Sequence, residues 1–112
     1  MAETVIEVRE YRTEDGHIPF REWLSGLRDS QARIRVRVRL NRLRLGNFGD
    51  SKGVGGGVTE LRIPYGPGYC VYFGRRGNTV VILLCAGDKQ TQAKDIERAQ
   101  QYWTDYRRRM HE

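Results

Sequence analysis

Apolar residues recur along the first part of the chain in patterns that predict a strand followed by two helices. Residues 4–9, TVIEVR, are rich in β-forming residues and precede the turn residues of TEDGHIP, which predicts a first strand. In PFREWLSGL a proline suits the first helical position, and apolar residues recur at helical spacing. We therefore predict a short helix after the turn.

The arginine-rich stretch at residues 29–47, DSQARIRVRVRLNRLRLGN, fits two patterns. Its apolar residues alternate with arginines as in a strand, but an unbroken strand of about 15 residues would exceed the usual range of about 3 to 10. Asp29 is a good helix N-cap, and Gly46 is a good C-terminal stop. Four apolar residues also share one helical face: Ala32, Val36, Leu40 and Leu43. We therefore predict a helix.

The rest of the chain predicts a loop, three strands and a final helix. Residues 46–57, GNFGDSKGVGGG, predict a flexible loop that lacks the lysine-serine ending of a phosphate-binding loop. Residues 60–73 predict a hairpin, and residues 78–87 are apolar on both faces, as in a central strand. Residues 88–110 predict the longest helix, whose apolar stripe comprises Ile96, Ala99, Trp103, Tyr106 and Met110. The prediction is one α+β domain over residues 1–112, in the order β-α-α-β-β-β-α.

The composition of the chain gives it a strong positive charge. The chain of 112 residues has a formal charge of +6 and is rich in arginine, whose guanidinium suits bidentate contact with phosphate. Nucleic acid or an acidic protein is the expected partner class, and the alternative is a solvated basic surface without a partner. No segment reaches the roughly 20 apolar residues that cross a bilayer, and the start lacks the apolar run of a signal peptide. We expect a cytoplasmic protein with no membrane contact and with two reduced cysteines.

The two faces of the predicted hairpin differ, because side chains alternate along each strand. One face is apolar and comprises Leu61, Ile63, Tyr69, Val71 and Phe73. Matching this face across the strands groups Arg62, Cys70 and Tyr72 on the opposite face, which we predict to be exposed to solvent. That opposite face is either a functional site or the ordinary polar side of an amphipathic sheet.

Two long motifs carry a family resemblance. GNFGDSKGVGGGVTELRIPYGPGYCVYF followed by LLCAGDKQTQAKDIERA resembles the RelE/ParE superfamily of toxins from bacterial toxin–antitoxin modules, in particular the HigB-like branch of addiction-module killer proteins. PFREWLSGL and the arginine-rich helix extend the resemblance over nearly the whole chain. The resemblance implies a RelE-like α+β fold, in which an antiparallel sheet packs against two N-terminal helices and a C-terminal helix lies at its edge.

The same resemblance implies an endoribonuclease that uses no metal or cofactor and cuts messenger RNA on the ribosome. The 2′-hydroxyl of the RNA attacks the adjacent phosphate, so the protein must assist proton transfer and stabilise negative charge. Arg62 is the first candidate for charge stabilisation and Lys89 the second, while Gln92 would orient a phosphate. Tyr72 or Tyr65 would stack on a base or act in proton transfer. The residues expected to contact RNA or the ribosome are Lys52, Tyr65, Arg33, Arg37 and Arg44.

The identity of the general base is open. Neither histidine lies in the matched motifs, because His17 falls in a predicted loop and His111 in the tail. Lysine and tyrosine have unperturbed pKa values of about 10, so either would be a poor base at neutral pH without a shift. The alternative for Lys89 is an ordinary surface lysine near the start of a helix.

Cys70 is a departure from the family pattern, because GYCVYF in this chain usually reads GYRVYF. The expected arginine belongs to the basic face that contacts RNA phosphate, so its absence removes a charge and the donors of a guanidinium. We count Cys70 among the catalytic positions and expect an attenuated nuclease. A reactive thiol is the alternative, because neighbouring cations would lower its pKa. Cys85, in the apolar strand, is expected to be a buried core thiol.

The resemblance also implies partners and two rival functions. Toxins of this type are neutralised by a cognate antitoxin, often with a helix-turn-helix domain, and the pair commonly represses its own operon, so operator DNA is contacted only through the antitoxin. The first rival is a ParE-type gyrase inhibitor, which would block supercoiling without cutting RNA. The second is a catalytically inactive toxin-fold protein that acts with its antitoxin as a co-repressor.

Overall fold

The computed structural model describes residues 5–110, which form a five-stranded sheet with helices packed on both faces. The strands are β1 (Glu7–Glu10), β2 (Ser51–Gly55), β3 (Val58–Ile63), β4 (Tyr69–Arg76) and β5 (Val80–Asp88). The helices are α1 (Pro19–Gly26), α2 (Ser30–Arg44) and α3 (Gln92–Arg109), with a 3₁₀ turn at Lys89–Thr91 before α3. The three predicted helices are confirmed. The first strand begins later than predicted, and residue 4 lies outside the described residues.

The sheet is mixed, with the strand order β1-β5-β4-β3-β2. Each adjacent pair among strands β2 to β5 is antiparallel, whereas β1 runs parallel to β5, with Glu7 opposite Val80 and Glu10 opposite Leu83. The α+β class is confirmed, but the prediction of an antiparallel sheet is wrong at this edge. Because β1 and β5 are joined through two helices and three strands, the chain has room to return in the same direction.

Part of the glycine-rich segment is a strand, so the prediction of a flexible loop there is wrong. β2 pairs with β3, placing Ser51 opposite Leu61 and Lys52 opposite Glu60. The glycines at 55–57 have φ angles of 93, 64 and 82°, a region that favours glycine, and they turn the chain into β3. Backbone hydrogen bonds hold this edge strand, so it leaves no alternating pattern in the sequence. The observed order is β-α-α-β-β-β-β-α.

The arginine-rich stretch is helical, as predicted. The Asp29 carboxylate accepts hydrogen bonds from the backbone N–H groups of Gln31 at 2.9 Å and Ala32 at 3.3 Å, and Gly46, with a φ of 87°, follows the helix end. The buried face is the predicted one: Ala32, Val36, Leu40 and Leu43. The strand-like alternation arises because two further apolar residues of α2, Ile34 and Val38, are exposed.

The core has two parts, one on each face of the sheet. On one face, α1 and α2 pack against the apolar side of the hairpin, as predicted, and against β5. The hairpin residues buried there are Leu61, Ile63, Tyr69, Val71 and Phe73. On the other face, α3 crosses β3, β4 and β5 and encloses a second cluster that includes Ile82, Leu84, Ala99, Trp103 and Tyr106. Helix α3 therefore lies across a face of the sheet and not at its edge.

Helix α3 approaches the sheet closely because two strand positions are glycine. A Cβ atom on Gly74 would lie 2.4 Å from Cε3 of Trp103, and one on Gly87 would lie 1.8 Å from Oδ2 of Asp95. The face that α3 covers includes Cys70 and Tyr72, so the prediction that this face is exposed to solvent is wrong.

Burial of the α3 stripe follows the prediction only in part. Ala99, Trp103 and Tyr106 are buried, and Ile96 is partly buried, whereas Met110 is exposed beyond the last residue of α3. Within residues 5–110, no helix has the length and apolar character needed to cross a membrane.

Candidate active-site cleft

Four of the five predicted catalytic residues line one cleft of about 570 Å³ at the loop end of the β3–β4 hairpin. They are Arg62, Cys70, Lys89 and Gln92. The remaining wall consists of Asp50, which precedes β2, and of residues in and beside the hairpin loop: Ile63, Pro64, Gly66, Pro67, Gly68 and Tyr69. The fold therefore brings together groups that are separated by up to 30 positions in the sequence.

The hairpin loop is held by a tight turn. The backbone N–H of Gly68 donates to the carbonyl of Tyr65 at 3.0 Å, and Gly66 and Gly68 have φ angles of 58 and 84°. The stem of Lys89 packs against this turn, since a Cβ atom on Gly68 would lie 3.0 Å from its Cε. Lys89 is thus placed at the mouth of the cleft by the absence of a side chain at Gly68.

The start of α3 fixes the other wall of the cleft. The Asp88 carboxylate accepts hydrogen bonds from the backbone N–H groups of Gln90 at 2.9 Å and Thr91 at 3.3 Å, which caps the 3₁₀ turn. The Thr91 hydroxyl in turn donates to the buried Asp95 at 2.5 Å. These bonds explain why the GDK segment and the first turn of α3 adopt one defined geometry. They position Lys89 and Gln92 on the cleft.

A buried carboxylate lies beneath the cleft. Glu60 on β3 has no exposed surface, and its oxygens accept hydrogen bonds from Arg62 Nε at 3.0 Å, Tyr72 Oη at 3.2 Å and Gln92 Nε2 at 2.8 Å. Burial raises the pKa of Glu60, but the hydrogen bonds from Gln92, Arg62 and Tyr72 outweigh this effect and hold the pKa below its usual value. The carboxylate is therefore ionised at neutral pH.

This carboxylate orients Arg62. The Arg62 side chain is 40% exposed, so it reaches both the buried Glu60 and the solvent of the cleft. The hydrogen bond to Glu60 raises the pKa of Arg62 further. Because the guanidinium carries several N–H donors and Glu60 engages its Nε, the group retains donors for an anion in the cleft.

Tyr72 and Cys70, the other two candidate residues of the hairpin, do not have the predicted environment. Tyr72 is fully buried, and burial raises the pKa of its hydroxyl well above the usual value, so its ring does not reach the cleft or stack on a base. Burial, followed by the charge of Glu60, raises the pKa of the Cys70 thiol. Arg62 lowers the pKa of Cys70, as hypothesised for neighbouring cations, but burial and Glu60 raise this pKa more, so the net shift does not favour a reactive thiol. Cys85 is buried as predicted, and burial raises its pKa to about 12.

The residues predicted to contact RNA or the ribosome do not line the cleft. Lys52 is exposed on the edge strand β2. The Tyr65 hydroxyl donates to Asp29 at 3.1 Å, and the guanidinium of Arg35 lies 4.7 Å from the Tyr65 ring centre, so this tyrosine faces α2. The arginines predicted for this role lie elsewhere on α2: Arg33 donates to the carbonyl of Leu27, whereas Arg37 and Arg44 line a cavity with α1 and β1.

Sequence reasoning missed the arginines that do adjoin the cleft. Arg35, Arg39 and Arg42 line a groove of about 630 Å³ between α2 and the hairpin, and this groove shares Arg62 with the cleft. Burial lowers the pKa of Arg39, whose guanidinium lies 3.4 Å from the Arg62 carbonyl oxygen. The spacing of these three arginines on one helical face was an available signal. No comparable signal pointed to Glu60, because the strand face that carries it was expected to be exposed.

The described part of the chain contains no group of three or more histidine, cysteine, aspartate or glutamate side chains that could hold a metal ion. The cleft instead presents two cationic side chains, Arg62 and Lys89, an amide, Gln92, and one acidic residue, Asp50. Such an arrangement can bind an anion and stabilise charge that develops on it.

Comparison with known proteins relates the chain to a bacterial protein. No family model matches the chain. An uncharacterized protein of Haemophilus influenzae is 49% identical over 82 residues, a match that covers 73% of this chain and 83% of that protein. The molecule is a small α+β protein with a basic cleft above a buried carboxylate. It belongs to the same protein family as the Haemophilus influenzae protein.

Proposed function

We propose that this chain is a RelE-like, HigB-type toxin of a toxin–antitoxin module that cuts messenger RNA on the ribosome. One observation carries the proposal: Arg62, Lys89 and Gln92, which the family resemblance marks as catalytic candidates, line a single cleft. A cleft with two cations suits the anionic transition state of phosphodiester cleavage.

The proposed reaction uses the RNA as its own nucleophile. The 2′-oxygen forms a bond to phosphorus as it loses its proton, the bond from phosphorus to the 5′-oxygen breaks, and that oxygen gains a proton. The products are a 2′,3′-cyclic phosphate and a 5′-hydroxyl. Because one proton is lost and one is gained, the reaction needs no redox partner and no metal to balance it.

Each residue of the cleft has a separate role in this proposed reaction. Arg62, held by Glu60, binds the non-bridging oxygens and stabilises their charge, and Gln92 helps to keep that carboxylate in place. Lys89 is the proposed donor of the proton to the 5′-oxygen, because a guanidinium does not release its proton in proteins. Glu60 is a positioning residue and not the general base, since it is fully buried and its pKa is lowered.

Cys70 accounts for the attenuation that we propose. It is opposite Arg62 in the sheet and lines the cleft, at the position where the family has an arginine. With a cysteine there, the cleft lacks a third cation next to the phosphate. Restoring the arginine is expected to increase the rate of cleavage.

The proposed partners follow from the proposed class. The ribosome and its messenger RNA are the targets, a cognate antitoxin inhibits the chain in the cytoplasm, and operator DNA is bound only through that antitoxin. No membrane partner is proposed.

The test is messenger cleavage in a ribosome-containing translation extract, with mapping of the new RNA ends. Arg62→Ala should lower the cleavage rate by about a hundred- to a thousand-fold, as for loss of one oxyanion donor. The matched control is Arg28→Ala, which removes the same charge from an exposed arginine that does not line the cleft. This control should cut at the rate of the unchanged chain, and Cys70→Arg should cut faster.

Other outcomes would assign the chain to a rival function. If neither the unchanged chain nor Cys70→Arg cuts RNA and supercoiling is inhibited, the protein is a gyrase poison. If it does neither but binds a protein encoded beside it and represses that operon, it is a co-repressor. Equal losses in the Arg62 and Arg28 variants would show that total charge matters and the cleft does not.

A further inference from the structure

Helix α2 has a second apolar surface, which faces solvent. Its other apolar face is buried against the sheet, whereas Ile34 is 50% exposed and Val38 is 41% exposed. These two side chains line the groove of about 630 Å³ between α2 and the hairpin, together with Ile63 and Pro64 of the hairpin. Apolar side chains that are gathered in one groove, and not scattered singly, mark binding surfaces. We call this surface the α2 groove.

Three arginines on one side of α2 add positive charge to the α2 groove. They are Arg35, Arg39 and Arg42, which all line it. Their spacing of four and then three residues places them on one stripe of the helix, next to Ile34 and Val38. The exposed side of α2 is therefore both apolar and cationic.

Contacts with uncharged groups hold two of these guanidinium groups at the groove. The guanidinium of Arg35 lies 4.7 Å from the ring centre of Tyr65, which also lines the groove. Nη2 of Arg39 donates to the carbonyl oxygens of Phe48 and Arg62, each at 3.4 Å. An aromatic ring and carbonyl oxygens orient a guanidinium without neutralising its charge.

Acidic groups of the chain do not neutralise these three arginines. Within residues 5–110, no carboxylate forms an ion pair with Arg35, Arg39 or Arg42. Burial lowers the pKa of Arg39, and the positive charge of the nearby Arg42 lowers it further. Asp50, the acidic residue that lines the groove, offsets this shift only in part. The α2 groove therefore carries an excess of positive charge.

Apolar walls beside cations favour an acidic, amphipathic partner. The backbone of RNA would match the arginines but would leave Ile34 and Val38 without apolar contacts. A second copy of this chain would match the apolar walls, but a twofold contact through this face would bring its arginines together, and each copy has a formal charge of +6. A helix with acidic residues beside an apolar stripe matches both features.

We propose that the α2 groove is the docking site for an acidic amphipathic helix of a partner protein. The groove follows α2 from Gln31 to Arg42, a length of roughly 16 Å at about 1.5 Å per residue, so the docked helix has about three turns. Its apolar stripe packs on Ile34 and Val38, and its flanking carboxylates pair with the arginines.

A helix docked in the α2 groove would also reach the candidate active-site cleft. The groove and the cleft share four lining residues: Asp50, Arg62, Ile63 and Pro64. A carboxylate of the docked helix near Arg62 would compete with an RNA phosphate for the same guanidinium. This competition rests on the proposed function, whereas the docking site does not.

The experiment begins with selection of ligands for the unchanged chain from a displayed library of helical peptides about three turns long. The selected peptides should combine an apolar stripe with aspartate or glutamate on its flanks. One of them, labelled with fluorescein, is the probe for affinity measurements by fluorescence anisotropy. Recovery of no binder, or of binders without acidic residues, would overturn the proposal.

Substitutions of the apolar wall test where the peptide binds. Ile34→Gln combined with Val38→Gln should weaken binding by about tenfold or more, because apolar anchors at the centre of an interface dominate its affinity. The matched control is Leu45→Gln combined with Met110→Gln, which replaces exposed apolar residues outside the groove and should leave the affinity unchanged. All four residues are exposed, so both variants should keep the thermal unfolding midpoint of the unchanged chain.

Substitutions of the arginines test the charge of the partner. Arg35→Gln combined with Arg42→Gln should weaken binding by about fivefold and reduce its dependence on salt, because exposed ion pairs are screened. Arg12→Gln combined with Arg28→Gln removes the same charge from exposed residues outside the groove and should have a smaller effect. Equal losses in the two charge variants, or no loss when Ile34 and Val38 are replaced, would overturn the proposal.

Two further measurements test the other occupants. The first uses a single-stranded RNA with 2′-O-methyl groups, which cannot be cut. If Ile34→Gln combined with Val38→Gln weakens binding of this RNA as much as binding of the peptide, the groove is an RNA site and the proposal fails. Sedimentation is the second measurement, and a dimer that the same double variant abolishes would assign the groove to a second copy of the chain.

Failure of this proposal can be distinguished from failure of the proposed function. In the translation extract, the peptide should slow cleavage by the unchanged chain but not by the Ile34→Gln and Val38→Gln double variant, each compared with its own rate without peptide. A chain that binds the peptide in the groove but cuts no messenger would retain the docking site and refute the nuclease. A chain that cuts messenger but binds no acidic peptide would retain the nuclease and refute the docking site.

Discussion

The two faces of the sheet use the same strands but carry different chemistry. The face under α1 and α2 is filled by apolar side chains such as Leu61, Val71 and Phe73. The face under α3 also buries Glu60, Tyr72 and two thiols between the apolar residues. A buried carboxylate is costly unless it is fully hydrogen-bonded. The difference suggests that the first face serves stability and that the second also positions the cleft.

The hydrogen-bond partners of Glu60 show how the α3 face of the sheet is connected to the cleft. Its hydrogen bonds connect β3, β4 and α3, and two of them come from residues of the cleft, Arg62 and Gln92. The next residue in the chain, Leu61, therefore provides a matched test, because it belongs to the same strand but points into the other core.

Leu61→Ala should give the largest loss of stability. Removing a fully buried leucine from a packed core costs about 2 to 5 kcal/mol, measured as the free energy of unfolding in urea. Cleavage per folded molecule should stay unchanged, because the substitution leaves the hydrogen bonds of Glu60 intact. A fall in cleavage as large as that of Arg62→Ala would break the proposed division between the two faces.

Glu60→Gln should give a smaller loss of stability and a selective loss of activity. The change keeps the shape but weakens hydrogen bonds to a buried charged group, which costs about 1 to 3 kcal/mol in the free energy of unfolding. With Arg62 less well held, kcat should fall by roughly tenfold, which is about 1.4 kcal/mol, while KM changes little. An unchanged kcat would show that Glu60 is structural alone.

Gly74→Ala should destabilise the protein by about 1 to 3 kcal/mol, because its Cβ would overlap the ring of Trp103 and push α3 away. The control is Gly26→Ala at the end of α1, where a Cβ meets nothing within 4 Å. This control should be neutral or stabilising by up to about 1 kcal/mol. Thermal unfolding measures both, and equal effects would contradict the close approach of α3.

The smallest effect concerns acid stability. The pKa of Glu60 is lower in the folded protein than in the unfolded chain, so its contribution to stability is complete above the unfolded value of about 4.3 and is lost as the pH falls through the folded pKa. Glu60→Gln should therefore lose less of its free energy of unfolding between about pH 5 and pH 3 than the unchanged chain. Leu61→Ala should follow the unchanged chain, and identical acid dependence in all three would contradict the assignment.

The parts of the fold that could be predicted from the sequence are those in which apolar side chains recur at regular spacing. The buried face of α2, the apolar face of the hairpin and the burial of Cys85 are confirmed. Strand β2 and the parallel pairing of β1 were missed, because backbone hydrogen bonds and long connections leave no periodic signal. The α3 face of the hairpin was expected to be exposed because its residues are polar, and polarity alone does not reveal that α3 covers it.

Several residues of the candidate site could be predicted from the sequence, but their arrangement in space could not. The motifs named Arg62, Lys89 and Gln92, which the fold brings to one cleft. They gave no indication that Glu60 lies beneath them, because a glutamate in an amphipathic strand is also typical of a solvent-exposed position. The crossing of α3 over β3 adds the donor from Gln92 and helps to remove Glu60 from water.

The most direct test of the account is a double-mutant cycle on the rate of messenger cleavage. The rates of the unchanged chain, Glu60→Gln, Arg62→Ala and the double variant would be measured in the same ribosome-containing extract. If Glu60 acts by holding Arg62, its replacement should matter little once Arg62 is alanine, with a coupling energy of about 1 kcal/mol or more. Additive effects, or equal cleavage by all four chains, would contradict the claim that the α3 face of the sheet positions the cleft.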